Sequence, residues 1–104
     1  MRKLYIVRHA RDFDRIMKEN HCVKNTCFVV YYQENQLPYN RYGISVSKKL
    51  GNAVFRNSYK RKIRSIIDNY KKDYIKGKDY IIILRRGALE KEYQELEKQL
   101  TCLL

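Results

Sequence analysis

Seven residues between Ser45 and Arg64 (SVSKKLGNAVFRNSYKRKIR) carry the side chains best suited to chemistry: Lys48, Lys49, Arg56, Asn57, Lys60, Arg61 and Arg64. A guanidinium group pairs with a phosphate through two parallel hydrogen bonds, and an ammonium group adds a compact point charge. Wound on a helix at about 100° per residue, Arg56, Lys60, Arg64, Asn57 and Arg61 fall within roughly 140° of arc. Phe55, Tyr59, Ile63, Ile66, Ile67 and Tyr70 occupy an adjoining sector, the stripe such a helix buries. Asp68 is the only acidic residue on this helix before Asp73, so the cations have few partners of their own. A basic helix is often no more than a solvated face; segregation on one flank favours phosphate binding. Lys48 and Lys49 precede the helix, where free amides and the helix dipole favour an anion, or where they simply border a solvated turn. Asn57 can reach a sugar or base edge, or brace a neighbouring loop.

Other chemistries find less support. The acids at Asp12, Asp14, Glu19, Glu34, Asp68, Asp73 and Asp79 are scattered, with no evident carboxylate cluster for a two-metal phosphodiester site. Glu90, Glu92, Glu95 and Glu97 alternate with Lys91 and Lys98 and read as a solvated helix face rather than a metal site. His9 and His21 lack a visible acid partner, although His9 beside Arg8 is placed to touch RNA. Cys22, Cys27 and Cys102 are odd in number and without zinc-ligand spacing, which points to reduced thiols and the cytoplasm. The chain of 104 residues carries 23 basic and 11 acidic residues, a formal +12. Such a field usually serves a polyanion. Nucleic acid is favoured over membrane, because no apolar stretch approaches the ~18–20 residues of a bilayer span. No DNA partner is expected, since the basic helix lacks the preceding helix and short turn of a helix-turn-helix.

The elements that must position these groups read as α-β-β-β-α-β-α, a single α+β domain over residues 1–104. Phe13, Ile16 and Met17 place a short amphipathic helix over about residues 11–19. His21 to Lys24 reads as a brief edge strand. Cys27 to Gln33 is β-branched and aromatic, hence a strand, and ENQLPYN is a polar turn. Arg41 to Ser47 alternates Tyr42, Ile44 and Val46 with Gly43, Ser45 and Ser47, a strand with one buried face expected to pair with the preceding run as a hairpin. Asn52 can cap the basic helix, which extends to about Tyr74 before Gly77. Asp79 to Arg85 is apolar almost throughout, as in an interior strand. Leu89, Tyr93, Leu96, Leu100 and Leu103 recur at helical steps.

RYGISVSKKLGNAVFRNSYKRKIR closely resembles the signature of the bacterial ribonuclease P protein subunit. Ser47, Lys48, Lys49, Gly51, Asn52, Ala53, Val54, Arg56, Asn57, Lys60, Arg61 and Arg64 meet each fixed position of that pattern. DFDRIM resembles the family's first helix, FVVYY its aromatic strand, and KDYIIILRR with the Leu-rich tail its last strand and helix. The resemblance implies a four-stranded sheet packed with three helices, similar to a ribosomal protein domain. It also implies a left-handed βαβ crossover, where sequence physics alone predicts a right-handed one. It further implies a protein that binds the catalytic RNA subunit and the single-stranded 5′ leader of precursor tRNA, with cleavage performed by the RNA and Mg2+ entering through it. Phe13 and Tyr31 match family positions lining the leader cleft, although rings at these spacings are as readily core. Met17 stands where the family often has a second aromatic, so stacking there is expected to be weaker. The alternatives are a general RNA-binding or ribosomal-type protein and a protein-only nuclease.

Overall fold

The computed structural model describes residues 5–70 and 77–104. Its elements are α1 (Ala10–Lys18), β1 (Cys22–Lys24), β2 (Phe28–Glu34), β3 (Arg41–Ser45), α2 (Ala53–Asn69), β4 (Lys78–Leu84) and α3 (Tyr93–Thr101). Single 3-10 turns follow β3 at Lys48–Leu50 and β4 at Arg86–Ala88. The four strands form one sheet in the order β1-β2-β4-β3, with β4 antiparallel to β2 and parallel to β3. This is the expected α+β architecture of one sheet and three helices. The parallel pair β3 and β4, joined through α2, forms the βαβ unit.

The expected β2–β3 hairpin does not form. β4 lies between the two strands, because its run from Tyr80 to Ile82 is buried throughout and needs a strand on each edge and a layer on each face. The connecting loop instead straddles the start of β4. Asn35 N–H donates to the Gly77 carbonyl at 2.7 Å, and Lys78 N–H donates to Asn40 Oδ1 at 3.0 Å. α2 also stops before Tyr74. Tyr70 is its C-cap, in extended conformation, and residues 71–76, including Asp73, lie outside the described residues. Gly77 has a φ of 78°, a left-handed conformation that glycine adopts without strain.

Strand alternation divides the core between two faces. On one, Phe28, Val30, Tyr80, Ile82 and Leu84 pack beneath Tyr59, Ile63, Ile66 and Ile67 of α2 and Leu96 and Leu100 of α3. On the other, Tyr31, Ile81 and Ile83 meet Phe13, Ile16 and Met17 of α1, with Val7 beside them. Each fully buried Ile or Leu contributes about 1.5–3 kcal/mol by leaving water. Burying the α2 stripe fixes the rotation of that helix and therefore the direction of its basic flank.

Candidate nucleic-acid interface

α2 begins at Asn52, whose Oδ1 accepts a hydrogen bond from Phe55 N–H at 2.9 Å. Such a cap typically contributes about 1 kcal/mol. Gly51 leaves room for the Phe55 ring, since a Cβ there would stand 2.4 Å from Phe55 Cδ1. With Tyr59, Ile63, Ile66 and Ile67 buried against the sheet, Asn57, Arg61 and Arg64 are exposed. Arg56 and Lys60 are half-buried along the edge of the stripe. Among the described residues, the ion pairs involve Arg15 and Arg41, and none involves Arg56, Lys60, Arg61 or Arg64. Arg56 Nε is buried without a hydrogen-bond partner among the described residues. Among the described residues the flank thus presents cations without acidic partners. Lys48 and Lys49 are exposed on the 3-10 turn, where Ser47 Oγ accepts from Lys49 N–H at 3.2 Å.

Phe13, Met17 and Tyr31 come together on the opposite face of the sheet, each half-buried around Ile81. β3 was expected to bury only its Tyr42, Ile44 and Val46 face. The structure uses both faces, because Gly43 is the seat of the Phe13 ring. A Cβ on Gly43 would lie 2.6 Å from Phe13 Cζ and 2.9 Å from Ile81 Cδ1. Three rows cross this face in register: Gln33–Asp79–Arg41, then Tyr31–Ile81–Gly43, then Val29–Ile83–Ser45. α1 reaches the first two through Arg15 and Phe13. Val29, Ile83 and Ser45 of the third row remain half-exposed. The result is a partly exposed, largely apolar surface of Val29, Ile83 and Ser45 bordered by the half-buried Phe13, Met17 and Tyr31.

A match over the whole chain decides the family. The family model described as Ribonuclease P covers residues 1–104. The chain belongs to the ribonuclease P protein family. The ribonuclease P protein component of Streptococcus pneumoniae (strain Hungary19A-6) is 46% identical over 104 residues, which is 100% of this chain and 85% of that one. A mutant ribonuclease P protein from Staphylococcus aureus superposes with a TM-score of 0.89 at 43% identity, covering 98% of this chain and 86% of the other. The ribonuclease P protein from Thermotoga maritima gives 0.87 at 34% identity, over 94% and 93% of the two chains. As a family member, the chain is an RNA-binding subunit of a tRNA-processing endoribonuclease.

Sequence reasoning missed two features of this ribonuclease P family member. The first is a cationic rim at the end of the sheet between the two faces. Lys24, Arg85 and Arg86 are exposed there, at the same end of the sheet as Lys48 and Lys49, because β3 and β4 run parallel and Lys24 pairs with Val29 opposite Ile83. Arg85 Nη1 donates to the Asn25 carbonyl at 2.7 Å, which fixes one member of this rim. Only the strand register reveals it. The second is Asp79, read as one more scattered acid. It is fully buried and accepts from Arg41 Nε at 2.8 Å, Arg41 Nη2 at 2.5 Å, Asn35 Nδ2 at 2.8 Å and Arg15 Nη2 at 3.3 Å. Burial alone would push its carboxyl up. The hydrogen bonds from Arg41 and Asn35, the Arg41 charge and the Arg15 hydrogen bond outweigh that and hold it below the usual carboxylate range. The hydrogen bond to Asp79 correspondingly raises Arg41 against the cost of its own burial. Lys24 is exposed on an edge strand and Asp79 is buried on an interior one, a difference set by strand order that no local pattern encodes.

Proposed function

We propose that this chain grips RNA on two faces while an RNA subunit breaks the bond. The α2 flank of Arg56, Asn57, Lys60, Arg61 and Arg64, with Lys48 and Lys49 at its head, docks on the phosphates of the catalytic RNA subunit. The α1 face, with Phe13, Met17 and Tyr31, receives the single-stranded 5′ leader of precursor tRNA. Bases stacked on such rings contribute on the order of 1–3 kcal/mol each with little sequence preference. That tolerance suits an enzyme that must accept many leaders. Met17 packs against a base but stacks less well, so Phe13 and Tyr31 carry most of the grip. The cationic rim lets one polyanion approach from either face.

The observation that carries the reading is the pairing of a basic flank without ion pairs among the described residues with a half-exposed aromatic face in a member of this family. Among the described residues no three His, Cys, Asp or Glu side chains gather as metal ligands. Mg2+ is proposed to enter through the RNA subunit, whose phosphates bind it readily. No helix among the described residues is long and apolar enough to cross a membrane, and the working compartment proposed is the cytoplasm. The test is the affinity of the reconstituted holoenzyme for precursor tRNA against mature tRNA. A clear preference for the leader-bearing RNA is expected, and equal affinities would remove the cleft from the account.

A further inference from the structure

Resting on that reading of the cleft, we propose that Arg15 is a positioning residue: by latching α1 to the buried carboxylate of Asp79, it sets where Phe13 stands over the sheet and so the shape of the leader cleft.

The geometry is that of a latch next to a seat. Gln33, Asp79 and Arg41 form one row across β2, β4 and β3, and their partners are almost all within the sheet or its loop. Arg15 is the member that comes from α1. One of its amino groups donates to Gln33 Oε1 and the other to Asp79 Oδ2 at 3.3 Å, with Asp12 3.5 Å away on the same helix. The guanidinium fork therefore spans β2 and β4 at once, which a flexible ammonium cannot reproduce. One row further along lies Gly43, where the Phe13 ring sits. α1 has only nine residues and a single fully buried side chain, Ile16, so it has little apolar area to hold it in place. A charged anchor one row from the aromatic wall controls that wall's position.

Asp79 already has a bidentate partner in Arg41 and an amide in Asn35. The Arg15 hydrogen bond is the smallest of the interactions that hold the carboxylate low, and the Arg15 side chain is 43% exposed. What it adds is the tie between helix and sheet. A competing use of this half-exposed guanidinium is direct contact with a leader phosphate. The two uses make opposite predictions when Asp79 is neutralised.

The experiment uses the reconstituted holoenzyme carrying Arg15→Gln, Arg15→Lys or Asp79→Asn. It measures affinity for precursor and mature tRNA across a salt series, and amide exchange at Phe13, Ile16 and Met17. Arg15→Gln should cut the leader-dependent gain in affinity about tenfold, the scale of one lost stacking contact. Mature tRNA affinity and the salt slope should stay unchanged, α1 amides should exchange faster, and Arg15→Lys should recover part of the loss. Asp79→Asn, which leaves the Arg15 charge in place, should also lower the gain. Overturning results are an unchanged gain with Arg15→Gln, or a salt slope reduced by about 0.7, the mark of a lost single-strand phosphate contact. If Asp79→Asn fails to fold, the slope and exchange data for Arg15→Gln decide alone. A wild-type holoenzyme with no leader preference but faster α1 exchange in Arg15→Gln would leave the latch standing and refute the cleft reading instead.

Discussion

Gly43→Ala probes the aromatic wall with a single methyl group. The new Cβ would stand 2.6 Å from Phe13 Cζ, 3.1 Å from Phe13 Cε2 and 2.9 Å from Ile81 Cδ1. Ordinary carbon–carbon contact needs about 3.5–4.0 Å, so the ring must retreat by roughly 1 Å. Ile81 is fully buried and cannot yield easily, whereas Phe13 is half-buried on a short helix. The ring or the whole of α1 therefore moves. Overpacking of this kind costs about 1–3 kcal/mol, offset by about 0.4–1 kcal/mol from the stiffer unfolded chain. A net loss of about 1–2 kcal/mol is expected, or roughly 4–8 °C in Tm per kcal/mol for a domain of this size. Urea unfolding gives the first number, and the leader-dependent gain in precursor affinity, which should fall, gives the second. Phe13→Leu in the same chain should relieve the clash, so the double variant loses less stability than the sum of the two. A Gly43→Ala protein with wild-type stability and leader preference would show that the Phe13 ring is not seated there.

Two further perturbations address the electrostatics. Because the Asp79 carboxyl is held below its ordinary range in the folded chain, it contributes stability above an unfolded value near 3.9. That contribution disappears as pH falls through the lower folded value. Urea midpoints should drop below about pH 4, and Asp79→Asn, less stable at neutral pH, should show a flatter acid limb; parallel limbs would contradict the network. Affinity for RNA should fall linearly on a log–log plot against salt, by about 0.7 for each single-strand phosphate contacted. Arg61→Ala, at an exposed position with no ion pair among the described residues, should make the slope shallower by about one such step, and an unchanged slope would take Arg61 out of the contact.

The helices and the basic flank were readable from local patterns because helical periodicity ties side-chain type directly to a face. Ile63, Ile66 and Ile67 define what is buried on α2, and the direction of Arg61 and Arg64 follows. The sheet order was not readable. Alternation in β2 and β3 says which residues share a face but nothing about which strand is the neighbour. The insertion of β4 between them depends on its long-range need for cover on every side. Gly43 shows the same limit at one residue: a small side chain on an alternating strand looks solvent-facing until a ring from another element is found against it. Asp79 escaped notice because a lone acid at the start of an apolar strand gives no sign of the arginines, 38 and 64 residues away, that enclose it. The two surfaces proposed to face RNA could be read one at a time, while their placement on opposite faces, with Lys24, Lys48, Lys49, Arg85 and Arg86 at one end of the sheet, required the strand register.

The division of labour between chain and RNA is tested most directly by precursor tRNA cleavage at low magnesium, with the purified chain alone, with the RNA subunit alone, and with both. Cleavage should require the two together, and Arg56→Ala with Arg64→Ala should abolish the gain from the protein while leaving the RNA's activity at high magnesium intact. Cleavage by the RNA-free chain, or full low-magnesium activity in the doubly substituted holoenzyme, would contradict the account.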